Sequence, residues 1–448
     1  MSAVAHPSAA WWRPERPAAP FRARETDEGG RLPLAALILF TGILLLAPQS
    51  WLPALAPLRL GMLAAGLAIA AHLADRFVRG RPLATASREI VLAALLAGWA
   101  VVTLPFSYWP AGSLGFLLEI FLKAITVFWL IGEVVGTVSR LAALAWSLNL
   151  MALPLAVTAL RNWAQGVFVP QGVAADVKRI AGYEAPLTGN PNDLALMLNL
   201  IFPLGLALFV STRRPAARLL LGVLLFLDVV AILSTFSRAG FLTLAVSMAL
   251  FGWRMHQRGR LPWALVALVA VALPLAPSGY LAHMGTITDI QADPTGSAQE
   301  RWDLLVTAAR YVAAHPVVGT GIGMNILAMN DLRGEAWREV HNAYLEYAVE
   351  LGVPGLALFL ALFAGCLRHS SRARRSALGD PAGFRLARLA EGVQVSLIAY
   401  GVAALFHPLA YHFHFYYIAG MALGLRAAAA RSAAARFAPQ PNPSRRRS

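Results

Sequence analysis

The sequence predicts an all-α, polytopic integral membrane protein with about twelve transmembrane helices and one large periplasmic loop between the ninth and tenth. Three observations carry that prediction. The 448 residues are 58% hydrophobic and 14% charged, with mean hydropathy +0.59, which leaves too little polar surface for a soluble chain of this length. The apolar residues run in long unbroken stretches rather than alternating, so helices, not a barrel, satisfy the backbone in lipid. Most of the 38 lysines and arginines fall in alternate connections between those stretches, the pattern of a membrane side that retains basic residues.

The elements follow in order. Residues 1–31 are polar and rich in Pro and Arg, and are expected to form a disordered cytoplasmic head without a cleavable signal peptide. The polytopic domain is predicted over 32–430, with helices at 33–49, 57–74, 90–106, 114–136, 141–160 and 192–211. The remaining helices are predicted at 217–234, 239–254, 262–280, 342–367, 389–407 and 411–430. Placing the N-terminus inside puts the clusters Arg76–Arg88, Arg213–Arg218, Arg254–Arg260 and Arg368–Arg388 on the inner side, together with a disordered basic tail at 431–448. Both termini are then cytoplasmic. The net charge of +15 is explained by this topology rather than by nucleic acid. The single cysteine, Cys366, allows no intrachain disulfide.

Two outer loops are long, at roughly 161–191 and 281–341. In the second, Trp302, Leu305, Val306, Ala309 and Ala313 recur at helical spacing. They predict an amphipathic helix over 298–314 lying on the membrane surface, anchored by Trp302, with Arg301 at the edge of its apolar stripe. No internal repeat is visible, so an inverted-repeat transporter has no direct support.

Basic residues are scarce on the outer side, which draws attention to those present. Arg238, in Ser237-Arg238-Ala239-Gly240, occupies a very short outer turn. It reads either as an interfacial arginine snorkelling to headgroups or as a diphosphate clamp, since a guanidinium offers bidentate donors and keeps its charge. Arg301 reads either as an ordinary basic residue of a surface helix or as a partner to Arg238. His341 opens the tenth helix, and Asn342, Glu346 and Glu350 follow at i, i+4 and i+8 as a polar stripe. Intramembrane carboxylates are functional or paired, and the Leu351-Gly352-Val353-Pro354-Gly355 run after Glu350 also suits tight packing. Asn190-Pro191-Asn192-Asp193 makes a helix N-cap; the same N-terminus suits an anion, with Lys178 and Arg179 nearby.

Other features are weaker. Gly319-Thr320-Gly321-Ile322-Gly323 lacks nucleotide-loop spacing and reads as a turn. His407, His412 and His414 lie in an aromatic turn without the cysteines of a zinc site. Glu119 and Lys123, four apart in the fourth helix, read as a structural ion pair, and Asp228 in the seventh has no assigned role.

In order, Gly189-Asn190-Pro191-Asn192-Asp193-Leu194-Ala195, Ser237-Arg238-Ala-Gly, Glu300-Arg301-Trp302, His315-Pro316, His341-Asn342-x-Tyr344-Leu345 and Glu350-Leu-Gly-x-Pro-Gly form a set. With it the chain resembles the O-antigen ligase and O-antigen polymerase superfamily over roughly 180–365. The resemblance implies a metal-independent, cofactor-free glycosyltransferase of the bacterial inner membrane with a periplasmic active site. It implies an undecaprenyl-diphosphate-linked glycan as donor and, in the favoured ligase branch, a lipid A-core sugar as acceptor; a polymerase would use a growing glycan. It assigns Arg238 and Arg301 to the donor diphosphate and His341 to catalysis, with Arg179, Asn192, Ser237, Asn342, Tyr344 and Glu346 as substrate-binding candidates. No nucleic acid partner is expected. A polyprenyl-glycan flippase or other transporter remains the alternative of a different class, with Glu119, Lys123 and Asp228 lining its path.

Overall fold

A computed structural model describes residues 29–169, 179–259, 263–276, 280–285, 297–334 and 337–437. Residues 1–28 of the expected disordered head, 438–448 of the expected disordered tail, and Lys178 lie outside those residues; residues 431–437, expected to be disordered, are helical and continue the last helix, where Arg431 donates to the Gly136 carbonyl. The structure is all-helical, 79% helix, and among the described residues the one β contact is an isolated bridge between Phe168 and Ile180.

The first helices are α1 (Arg31–Leu46), α2 (Pro48–Trp51), α3 (Leu60–Val78), α4 (Arg88–Thr103), α5 (Pro110–Phe116), α6 (Leu122–Val134) and α7 (Val138–Gln165). Next come α8 (Pro191–Ser211), α9 (Pro215–Ser234), α10 (Arg238–His256), α11 (Trp263–Ala272) and α12 (Tyr280–Gly285). The chain continues through α13 (Ser297–Ala314), α14 (Asn325–Arg333), α15 (Ala343–Ser376), α16 (Phe384–Ala403) and α17 (Phe413–Phe437). Helix occupies each of the twelve predicted segments. Seven helices among the described residues are long and apolar enough to cross a membrane; Arg31–Leu46 and Trp263–Leu275 are shorter apolar helices.

The bundle centres on α8, most of whose residues are buried, packed by α7, α9, α10 and α16. The segment α15 packs against α4, α16 and α17 and carries the outer α13 and α14 on its first half. That half ends in a break. Gly352 has φ 67° and ψ −176°, a conformation essentially restricted to glycine, and Pro354 withholds a donor two residues on. The carbonyls released there accept N–H groups from the 316–325 loop: Val349 from Thr320 (2.8 Å) and Glu350 from Gly321 (3.0 Å). Val353 N–H donates back to Pro316 (2.8 Å). The glycine-rich segment is the turn the sequence indicated, and its function is to fill this break.

One expectation is corrected. Glu119 and Lys123 are both exposed and form no ion pair, because Leu117–Phe121 is a π turn that spoils the i, i+4 alignment. On α13 the buried face is Leu304, Ala308 and Tyr311, packed with Met329, Val340 and Val349. Two periodic faces exist on this helix, and the one with the tyrosine meets α14 and α15, leaving Trp302 55% exposed.

Candidate active site

Two helix N-termini meet at the site. Asn190 caps α8, its Oδ1 accepting the N–H groups of Asn192 and Asp193 (both 2.9 Å). Ser237 caps α10, its Oγ accepting from Gly240 N–H at 3.1 Å. The caps are joined, because Ser237 Oγ donates to Asn192 Oδ1 at 2.9 Å. The turn leading into α10 is held by Phe236, in the left-handed region at φ 51°, its ring against Trp163 and Tyr280 (centroids 5.7 and 5.6 Å). Gly240 lets the two helices close up, since a Cβ there would stand 2.8 Å from that of Ala195. The positive ends of both helix dipoles thus face one locus.

Arginines surround that locus. Arg179 donates through Nη2 to the same Asn192 oxygen at 2.5 Å and through Nε to the Thr235 carbonyl at 3.5 Å. Burial, and then the charges of Arg301 and Arg238, bring its pKa down to about 10, so it stays cationic near neutrality. Arg238 is the first residue of α10 and half-buried; Arg301, also half-buried, projects from the first turns of α13. Three guanidiniums therefore lie within electrostatic reach of one another and concentrate positive charge beside the two helix N-termini.

His341 stands next to this cluster in the stretch that enters α15. Burial lowers its pKa below 6.5 and the Arg301 charge lowers it further, so its neutral form dominates at neutral pH. Its Nδ1 lies 2.8 Å from the Glu339 carbonyl, which leaves Nε2 for the cavity if Nδ1 carries the proton. That cavity, of about 310 Å³, is lined by Asn192, Asp193, Glu339, His341, His407 and His412 among others.

The chain before His341 is positioned by buried groups. Glu350 accepts from Gly323 N (2.7 Å), Asn325 N (3.1 Å) and Asn325 Nδ2 (2.6 Å). Asn325 Oδ1 in turn accepts Val340 N–H at 2.9 Å, one residue before the histidine. Glu346 is buried and accepts from Ala410 N (3.0 Å), which fastens the 404–412 turn on the opposite wall. Asn342 caps α15 through Leu345 N–H (3.0 Å), and the Tyr344 hydroxyl donates to the Gly401 carbonyl (2.9 Å). The structure thus brings together Arg179, Asn192, Ser237, Arg238, Arg301 and His341. It engages Asn342, Tyr344 and Glu346 with the bundle backbone instead, outside the lining of the cavity.

Sequence reasoning missed Asn325, whose importance comes from contacts 15 and 25 residues away. It also missed His407 and His412 as cavity residues, having weighed them only for zinc. No cluster of three His, Cys, Asp or Glu residues suited to a metal occurs among the described residues.

Residues 221–360 match the family model described as O-Antigen ligase. The matched stretch contains Arg238, Arg301 and His341 and ends within α15, leaving Arg179 and Asn192 outside it. No curated protein matches the chain. The match supports the O-antigen ligase superfamily and, with the apolar helices, a multi-pass membrane glycosyltransferase of the ligase or polymerase type.

Proposed function

From that match, we propose that the chain transfers a glycan from undecaprenyl diphosphate to an acceptor hydroxyl at the periplasmic face, in the ligase manner, onto a lipid A-core sugar. The observation that carries the reading is the gathering of Arg179, Arg238 and Arg301 at two joined helix N-termini beside a neutral histidine. A lipid diphosphate is the anion this arrangement suits, with several oxygens for forked donors.

In the proposed step, His341 Nε2 takes the proton of the acceptor hydroxyl, and the acceptor oxygen forms a bond to the anomeric carbon of the donor sugar. The bond from that carbon to the diphosphate oxygen breaks with its electron pair. Negative charge grows on the leaving diphosphate, where fixed guanidiniums and helix dipoles stabilise it more in the transition state than in the bound donor. The lowered basicity of His341 suits a base that must be unprotonated near neutrality. The cavity beyond His341, edged by Asp193 and Glu339, has the carboxylates and amides that sugar hydroxyls bond.

In the proposed topology both termini and the basic connections face the cytoplasm, twelve helices span, and the 281–341 loop is periplasmic. Of the three residues of the transporter reading, Glu119 and Lys123 are exposed on the surface and Asp228 is buried within α9. The test combines deletion with complementation. Loss of the gene is expected to leave polymer on the carrier and a bare core, whereas a polymerase would leave a core bearing one repeat. Complementation by Arg238→Ala, Arg301→Ala or His341→Ala is expected to fail at normal membrane abundance. Full activity of all three variants would overturn the transferase reading.

A further inference from the structure

A second basic site lies at the opposite end of the bundle. The segments α10 and α15 start beside the candidate active site and run away from it, and α16 starts where they finish. At that far end Arg254, Arg258, Arg374 and Arg388 gather round one carboxylate, Glu391, which is fully buried. Arg258 Nη2 donates to both Glu391 oxygens at 3.0 and 3.1 Å, and Arg388 Nη1 to Oε2 at 2.6 Å. Both carboxylate oxygens are then engaged by closer partners, and Arg254 Nη1 reaches only 3.8 Å from Oε1.

Arg254 is 7% exposed, and its other terminal nitrogen donates to Gln394 Oε1 at 2.9 Å. Gln394 is turned to receive it by donating its own amide to Ser371 Oγ at 2.6 Å. Arg254 Nη1 and the Nε of Arg374 are buried donors with no hydrogen-bond acceptor. Buried donors of this kind are rare, and here they belong to two of the four guanidiniums of the cluster. The cluster opens at one edge, where Arg258 keeps 25% of its side chain exposed and Arg374 is half-buried.

Aromatic residues give the depth of this edge. Trp253, next to Arg254, and Trp263, at the start of α11, are both largely exposed on the bundle's surface at this end. Exposed indoles on a membrane bundle sit at the headgroup layer. A basic cluster between helix ends at that level has the chemistry of an anionic headgroup site.

We infer that Arg254, Arg258, Arg374 and Arg388 form a binding site for a phosphate-bearing anion, supplied by an anionic phospholipid of the leaflet opposite the candidate active site. A phosphodiester offers oxygen acceptors for Arg254 Nη1 and Arg374 Nε, with forked geometry a guanidinium matches. The site is independent of the transfer reaction and stands whether or not that reading holds.

The test uses the full-length protein in phosphatidylcholine vesicles with or without phosphatidylglycerol, reading lipid retained after purification and the thermal midpoint. The wild type is expected to enrich phosphatidylglycerol over phosphatidylcholine and to melt higher in its presence. Arg374→Gln, at the open edge and outside the Glu391 bonds, is expected to weaken that enrichment about tenfold, with Arg374→Lys recovering part of it. Inorganic phosphate is the competing probe. If it displaces the lipid completely, the anion site belongs to a soluble phosphate and the lipid source is overturned. Equal retention of the two lipids by the wild type, or undiminished enrichment by Arg374→Gln, overturns the site itself.

Discussion

Replacing Asn325 by alanine isolates the positioning of His341 from the chemistry of the site. The side chain touches neither the cavity lining nor the arginines. It links Glu350, through Nδ2 at 2.6 Å, to the Val340 N–H, through Oδ1 at 2.9 Å. Alanine leaves the buried Val340 N–H without an acceptor, at about 1–3 kcal/mol, and removes one bond to a charged or strongly polar group, worth about 1.5–3 kcal/mol. Glu350 keeps two backbone donors, Gly323 and Asn325, so the loop against α15 stays in place. The cost, roughly 2.5–6 kcal/mol, therefore falls on the segment 337–341 and is relieved in part by its displacement rather than by global unfolding, leaving about 1.4–2.8 kcal/mol to be felt in the transition state. With each ~1.4 kcal/mol of lost transition-state stabilisation worth about tenfold, kcat is expected to fall by about ten- to a hundredfold. The donor KM should change little, since the arginines and the Asn192–Ser237 link are untouched. The assay is steady-state transfer by the purified full-length protein with a lipid-linked donor, alongside its thermal midpoint. Wild-type kcat with an unchanged midpoint would refute the reasoning, and so would a loss confined to KM.

Three further outcomes are expected. Gly352→Ala must place a Cβ 2.3 Å from the Val317 carbonyl oxygen at a φ of 67°, so strain of about 1–3 kcal/mol plus the clash should lower the thermal midpoint by several degrees; an unchanged midpoint contradicts the described break. Because burial and Arg301 hold the His341 pKa below 6.5, the neutral base persists as pH falls through 6.5, and the acid limb of kcat/KM should have its midpoint lower than that. In linkage terms, unfolded His341 takes up its proton first, so its contribution to stability is present above 6.5 and declines as pH falls toward the folded value; an acid limb at or above 6.5 is the contrary result. Arg179→Gln keeps a donor for Asn192 but removes a charge from the anion locus, and should raise the donor KM about tenfold or more while sparing membrane abundance, with an unaltered KM counting against a diphosphate there.

Much of the architecture was legible because lipid makes hydropathy an almost sufficient guide: each predicted segment contains helix. The short turn before Arg238 was legible for the same reason. What one-dimensional pattern could not provide was the choice between faces. On α13 both the Trp302 and the Tyr311 faces have helical period, and only the presence of α14 and α15 decides between them. The Glu119–Lys123 pairing failed because a π turn changes the angular step without changing composition. The ligand-like motif His341-Asn342-x-Tyr344 mixed two purposes. The histidine faces the cavity, whereas its neighbours cap a helix and brace α16, a division set by contacts more than fifty residues distant.

The broken helix α15 has a mechanical meaning. Its first half is a mast to which two walls of the cavity are tied. The 316–325 loop is laced into the gap at Gly352, and the 404–412 turn is held by Glu346 and by the Ala343 N–H to the Ala404 carbonyl at 2.8 Å. Neither wall can swing without unlacing backbone bonds in a dry interior.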